Sequence, residues 1–298
     1  MADRRRALIW FAALLALVFA GDRVLAWALG RVMVRSQFRF SRLYRGGNDA
    51  DIVILGDSRG VHSFYQPEIE KLTGLRTFNL SYNSMSTRIA EAVLRDYLDR
   101  NRAPRLVIIE ATCTIPEGAL AGQLGTYASF SPRLAALYAE GHPDGALTGR
   151  LFHLLRLNSE FYFEALHYQT RSDQDWINRS TIPEALRIRQ PGLWSPPRAE
   201  NLEALNRIVT LLKQRGIEVR LVIAPYWPVP VNIPEIANAI DVSIRPADPQ
   251  LHVLNYAGAV TDPEEFADGV HLNERGSVAL MEILQRDGVF AIHSAAPR

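Results

Sequence analysis

Two short stretches, far apart in the chain, hold residue types that together make an activated nucleophile. Gly56-Asp57-Ser58-Arg59-Gly60 follows directly on an apolar run, and Asp268-Gly269-Val270-His271 stands just before the last amphipathic segment. A serine hydroxyl attacks an ester only when a base takes its proton, and an imidazole serves as that base when a carboxylate fixes its tautomer. An aspartate three residues before a histidine in a loop can turn back onto the ring, leaving the other ring nitrogen for Ser58. Ser58 is therefore a candidate nucleophile, His271 its base and Asp268 the orienting acid. Each piece alone is ordinary. A serine entering a helix is also a common N-cap, and Asp-x-x-His pairs arise readily by chance at average residue usage. Their joint occurrence at matching positions gives them weight.

Such groups need a scaffold that brings distant segments to one edge. Continuous apolar runs at Ile52 to Leu55, Thr77 to Leu80, Leu106 to Ile109, Val219 to Ala224 and, more weakly, His252 to Leu254 suit strands covered on both faces of a parallel sheet. Helical patterns lie between them. Ile89, Ala90, Val93, Leu94, Tyr97 and Leu98 make one face of a helix over Thr87 to Arg100, and Leu202, Leu205, Ile208, Val209 and Leu212 do the same over Ala199 to Arg215, with Gly216 as the stop. A last helix is expected from about Asn273 to Arg286, N-capped by Asn273. Alternating strands and helices predict a three-layer α/β sandwich around a parallel sheet. Ser58 then lies at the carboxyl end of the first strand, where open α/β sheets gather their ligands, and a helix N-terminus there favours a developing oxyanion.

Residues 115–198 break the alternation. They are rich in aromatics and histidines, read as helical at Pro132 to Tyr138 and Gly149 to Leu166, and are expected to form an insertion: a cap over the sheet edge or a bland surface extension. At the other end, Arg4, Arg5 and Arg6 precede an uncharged run from Ala7 to Ala20, and apolar character resumes at Val24 after Gly21, Asp22 and Arg23. That layout predicts a signal anchor over residues 1–30, spanning if Asp22 and Arg23 sit at the interface; a leader cleaved near Ala26 and Ala28 or a buried soluble helix are the alternatives. Residues 31–50 read as a juxtamembrane linker, either solvated or lying as an amphipathic helix on anionic headgroups, and 51–298 as the main domain. Arginines flank both ends of the apolar segment, so charge does not fix its orientation.

Composition narrows the classes. A net charge of +1 argues against a nucleic-acid partner, and one cysteine rules out an intrachain disulfide or a cysteine-rich metal site. Cys113, with no basic neighbour in sequence, reads as an inert buried thiol. His62, one turn from Ser58, lines a pocket or sits on the helix surface. Tyr226 and Trp227 follow a strand end and offer an aromatic wall or simple turn packing, and Glu264 and Glu265 read as solvated loop charges.

Gly56-Asp57-Ser58 near the start of the domain and Asp268-Gly269-Val270-His271-Leu272-Asn273 near its end resemble the SGNH/GDSL hydrolase superfamily. The likeness covers about Asp51 to Arg286. It implies a flavodoxin-like fold, Ser58, His271 and Asp268 as the triad, and neither metal nor organic cofactor. Two blocks depart from the pattern. Ser84, in Asn79-Leu80-Ser81-Tyr82-Asn83-Ser84, stands where a glycine would offer an oxyanion N–H. Glu110-Ala111-Thr112-Cys113 replaces Gly-x-Asn-Asp and removes the asparagine donor, leaving Asn83, Ser84, Thr112 and Arg59 as candidates. Membrane-anchored members that modify envelope polysaccharides similarly lack parts of these blocks. The resemblance thus implies ester hydrolysis or acyl transfer on an extracytoplasmic, ester-bearing glycan or small acyl substrate, by a domain held outside the plasma membrane through a single span. A catalytically inactive glycan- or partner-binding module is the alternative; oligomeric state is left open.

Overall fold

Five short strands, β1 Ile52–Leu55, β2 Thr77–Asn79, β3 Leu106–Glu110, β4 Glu218–Ile223 and β5 Val253–Asn255, pair in parallel in the order β2-β1-β3-β4-β5. The computed structural model describes residues 2–116 and 119–293; Met1, residues 117–118 of the expected insertion and the tail 294–298 of the expected main domain lie outside the described residues. The order has a physical consequence. The chain steps outward from β1 to β2, then returns to the other side of β1 as β3, so the crossovers diverge between β1 and β3 and open a crevice at the strands' carboxyl ends. Ser58 follows β1 at that crevice.

β1, β2 and β3 are buried at every residue, as the apolar runs Ile52 to Leu55 and Leu106 to Ile109 require; β2 is buried although only Phe78 of its three residues is apolar. The edge strand β5 is only partly buried, which accounts for its weaker pattern. Ile52, Ile54, Leu106, Ile108 and Val222 share one face with Phe64, Ile69 and the Leu280, Met281 and Leu284 of the helix Glu274–Arg286. The helices Thr87–Arg100, Ala199–Gln214 and Ile233–Ile244 pack side by side as a second layer. The chain is thus an α/β protein with a parallel sheet between helical layers. Local stops match the sequence. Asn273 caps the last helix, its Oδ1 accepting from the Gly276 N–H at 3.2 Å, and Gly216, at φ 68°, ends Ala199–Gln214.

Two compact units divide the chain: Met1–Arg45 with Ala121–Arg171, and Gly46–Leu120 with Ser172–Arg298. The sheet belongs to the second. The expected 115–198 insertion therefore splits at Arg171, and its later part serves the sheet unit: Gln174 pairs with the backbone of Asn79 through both ends of its amide, at 2.7 and 3.2 Å, covering edge strand β2.

In the first unit, the helix Ala2–Arg35 exposes Leu8, Trp10, Phe11, Leu15 and Phe19. Among the described residues it is the one helix long and apolar enough to cross a membrane, which makes it a candidate span or signal sequence. Of the stretch 31–50 expected as a linker, residues 31–45 belong to this unit. Phe38, Phe40, Leu43 and Tyr44 are buried around the helix Arg39–Arg45, with the Phe40 and Phe161 rings 4.6 Å apart and Ser41 Oγ 2.6 Å from Tyr127 Oη. Burial of these aromatics gives the segment its local structure, and Arg39 is buried with them.

Candidate active site

The turn after β1 is shaped by close approach. A side chain at Gly56 would press on Glu110 Cβ at 2.8 Å and Gly60 Cα at 3.1 Å, and one at Gly60 would collide with Ser81. With both positions glycine, the chain turns sharply from β1 into the helix Ser58–Ser63. Asp57 is its N-cap, Oδ1 accepting from the Arg59 N–H at 2.9 Å. Burial, reinforced by the Glu110 charge, pushes the Asp57 carboxyl upward. Ser58 is left half-buried at the first position of the helix, where backbone N–H groups lack intrahelical partners.

The second piece is a loop pinned at its base. Phe266 and Leu272 form an antiparallel bridge, the Ala267 N–H donates to the His271 carbonyl at 2.9 Å, and the Trp227 N–H donates to the Gly269 carbonyl at 3.1 Å. Within it, Asp268 Oδ1 accepts from the N–H groups of Val270 and His271 at 2.8 and 2.9 Å, and Oδ2 lies 2.8 Å from His271 Nδ1. Partial burial opposes the ionised carboxyl, but the His271 hydrogen bond and the two backbone donors outweigh it and hold Asp268 down at about 2. With Nδ1–H given to Asp268, Nε2 is the ring's acceptor, and it lies 2.7 Å from Ser58 Oγ. The structure brings together residues 213 positions apart in a geometry suited to moving one proton from serine to imidazole.

Arg59, Thr112 and Tyr226 are buried beneath this line and Trp227 is partly buried beside them; the side-chain donors of Arg59, Thr112 and Trp227 are engaged, whereas Tyr226 Oη has no hydrogen-bond partner among the described residues. Arg59, 3% exposed, was a candidate oxyanion donor. Its Nε instead reaches Glu110 Oε1 at 3.3 Å and Thr112 Oγ1 at 3.1 Å, and Nη1 donates to the carbonyls of Pro225 at 3.1 Å and Val270 at 2.8 Å. Nη2 donates to that of Ala224 at 2.5 Å. Thr112 gives its hydroxyl proton to Glu110 Oε2 at 2.6 Å. Tyr226 lies buried under the Arg59 guanidinium, 3.5 Å from the ring centre, and burial pushes its phenol upward. Trp227 is partly buried: its Nε1–H donates to the Arg187 carbonyl at 3.2 Å, and its ring packs on Phe266. Arg59 thus ties the turn carrying Ser58 to the end of β4 and to the loop carrying His271.

The remaining candidates, Asn83 and Ser84, lie in a turn next to Ser58. Tyr82 N–H donates to the Gly56 carbonyl at 3.2 Å, and Met85 N–H closes the turn on Tyr82 at 3.0 Å. Asn83 Oδ1 is buried without a hydrogen-bond partner. Ser84 has φ 58°, a left-handed conformation that costs a residue with a Cβ about 1–2 kcal/mol. Ser84→Gly is accordingly expected to stabilise the protein by about 0.5–1 kcal/mol in urea denaturation, the relief of strain less the added freedom of the unfolded chain.

Sequence reasoning undervalued two residues. His62, read as lining a pocket or on the helix surface, is buried, with its ring edge-on to His271 and to Trp176, both at 5.3 Å between centres. Its position four residues after Ser58 on a helix was the available signal. Glu110, fully buried, accepts from Arg59, from Thr112 and from the Ala224 N–H; an acid closing an apolar strand was its signal. Cys113 is buried beside Thr87, and burial pushes its thiol upward. No cluster of metal-ligating side chains occurs among the described residues.

No family model and no curated protein matches the chain. Among solved structures it is similar to a Bacteroides fragilis protein described as an acylhydrolase, at 12% identity and a TM-score of 0.40 over 83% of this chain and 89% of that one. It is also similar to a Streptococcus pneumonia protein described as a platelet activating factor, at 15% identity and 0.38 over 95% and 98%. A third is a GDSL-like lipase from Bacteroides thetaiotaomicron, at 12% identity and 0.37 over 80% and 88%. Likeness of this order goes no further than general outline; what the site does rests on its own geometry.

Proposed function

We propose that this chain is a serine-dependent acylhydrolase or acyltransferase of the SGNH/GDSL type, acting through an acyl-enzyme on Ser58. The observation that carries the reading is the unbroken line from Asp268 through His271 to Ser58, at 2.8 and 2.7 Å. His271 Nε2 takes the Ser58 proton as Oγ bonds to the ester carbonyl carbon, whose oxygen becomes an oxyanion. Collapse expels the alcohol, which leaves with the proton from His271, and the acyl group stays on Ser58. A second hydroxyl then gives its proton to His271 as its oxygen attacks the acyl carbonyl, and His271 returns that proton to Ser58 Oγ as the Oγ–acyl bond breaks. With water the enzyme is an esterase; with a sugar hydroxyl it is an O-acyltransferase. The Ser58 N–H and the Asn83-Ser84 turn supply the oxyanion donors, since Arg59 and Thr112 are spent elsewhere.

In the fuller reading, the helix Ala2–Arg35 tethers the chain to the plasma membrane, and the site faces an extracytoplasmic, acetylated polysaccharide. An inactive binding module is the second reading; the commitment of Thr112 to Glu110 favours it, because no side-chain amide stands at that position. A fluorophosphonate probe separates the two. Wild type is expected to label covalently, and Ser58→Ala and His271→Ala to lose labelling while retaining their fold by circular dichroism. Unlabelled wild type, or equally labelled Ser58→Ala, would sink the catalytic assignment.

A further inference from the structure

The catalytic reading leaves the smaller unit without a task, yet that unit holds a cavity of about 350 Å³. Trp27, Phe130 and Leu157 give it apolar walls, while Arg23, Arg31 and Arg156 bring three guanidiniums to the same space. Their charges are unequally balanced. Arg23 donates to the Leu151 carbonyl and reaches Asp22, each at 3.3 Å. Asp22 is committed in turn, its carboxylate accepting the N–H groups of His153 and Leu154 at 2.7 and 3.0 Å. Arg31 lies 6.0 Å from the centre of the Trp27 ring, and neither it nor Arg156 has an ion-pair partner among the described residues. Burial, together with the charges of Arg156 and Arg23, pushes the neighbouring His153 downward, which marks the space as electropositive.

The place of the cavity along the helix narrows what would fill it. The exposed apolar run of Ala2–Arg35 is free of charge as far as Phe19, about 6 Å of helix rise before Arg23, and beyond it exposed Val24, Leu25, Trp27 and Val32 alternate with Asp22, Arg23 and Arg31. Leu147, Leu151, Phe152 and Leu155 of the same unit are also exposed, and Arg23 is bonded to Leu151. Apolar skin therefore continues from the helix onto the unit and becomes interleaved with guanidiniums and an exposed tryptophan at the level of the cavity, the mixture found where a bilayer passes from hydrocarbon to phosphate. Arginine is the side chain best matched to phosphate oxygens.

We propose that this cavity binds the headgroup phosphate of an anionic glycerophospholipid, held by Arg31 and Arg156, with an acyl chain lying on Trp27 and Phe130. The assignment rests on the reading of Ala2–Arg35 as a membrane anchor. It is tested on the full-length chain in mild detergent, titrated with short-chain phosphatidylglycerol, phosphatidylcholine or inorganic phosphate while the thermal unfolding midpoint is followed. Phosphatidylglycerol is expected to raise the midpoint saturably and the other two to leave it in place. Arg31→Gln/Arg156→Gln is expected to raise the half-saturating concentration about tenfold or more, the effect of losing a charge-assisted hydrogen bond. Should the double variant not fold, Arg31→Gln alone, at an exposed position, carries the test. An equal response to inorganic phosphate would make this a free-anion site, and an unchanged variant would place the lipid elsewhere; either overturns the proposal. Alkaline carbonate extraction separates the two failures: a chain released from membranes refutes the anchor, whereas a retained chain without lipid selectivity refutes only the cavity.

Discussion

Asp268→Asn is expected to lower the kcat for cleavage of short acetyl esters by about 10⁴-fold, with the fold preserved. The reason lies in how the carboxylate is held. Its Oδ1 accepts two backbone N–H groups, from Val270 and His271, and an asparagine must keep its carbonyl oxygen there to satisfy them. The amide NH₂ then faces His271 Nδ1, where the native structure has an accepting oxygen at 2.8 Å. The ring is driven to the other tautomer, and Nε2 presents a hydrogen to Ser58 instead of a lone pair. KM should change little, because ester binding does not use Asp268. Activity retained within about tenfold would mean that the carboxylate does not set the tautomer. Acid gives a second view of the same group. Held at about 2 in the folded protein, below the ordinary value near 3.9, the ionised carboxyl contributes stability that is present above the unfolded value. That contribution is lost as pH falls through about 2.

Arg59→Met is expected to destabilise the protein by about 3–5 kcal/mol, read as a lower urea midpoint at an unchanged slope. Arg59 and Glu110 are 3% and 0% exposed, so the variant leaves a buried acid without its guanidinium. Asp57, also buried and already raised by Glu110, loses a compensating charge as well. The carbonyls of Ala224, Pro225 and Val270 lose their donor in the same step. Arg59→Met/Glu110→Leu should cost less than the sum of its parts, since removing both ions leaves neither unpaired. Arg59→Lys keeps the charge but not the fork, and is expected to recover stability more fully than activity, because the tether to Val270 sets where His271 stands. An Arg59→Met cost below about 1 kcal/mol would show that the network is not a clamp.

The parts of this molecule that local pattern governs were legible. Continuous apolar runs mark β1, β3 and β4, because central parallel strands are covered on both faces, and Asn273 and Gly216 mark helix ends by local capping. The serine turn and the Asp-x-x-His loop were legible as residue types; that they meet depends on the return of the chain from β2 to β3, which no local window contains. Arg59 resisted reading for the same reason. Its carbonyl acceptors lie more than 160 residues away, and a backbone oxygen has no signature in sequence. His62 was obscured because Ser58–Ser63 is too short to show a buried face. Residues 31–50 misled because Tyr127 and Phe161, which bury Phe40, arrive from far along the chain.

A leader peptide is, by definition, dispensable once it has delivered its cargo. In the helix Ala2–Arg35, Asp22 supplies the acceptor for the amides that open the turn at His153 and Leu154. Severing the chain near Ala28 would strip those amides of their partner and take away one wall of the arginine-lined cavity. The N-terminal helix is thereby a structural member of its unit.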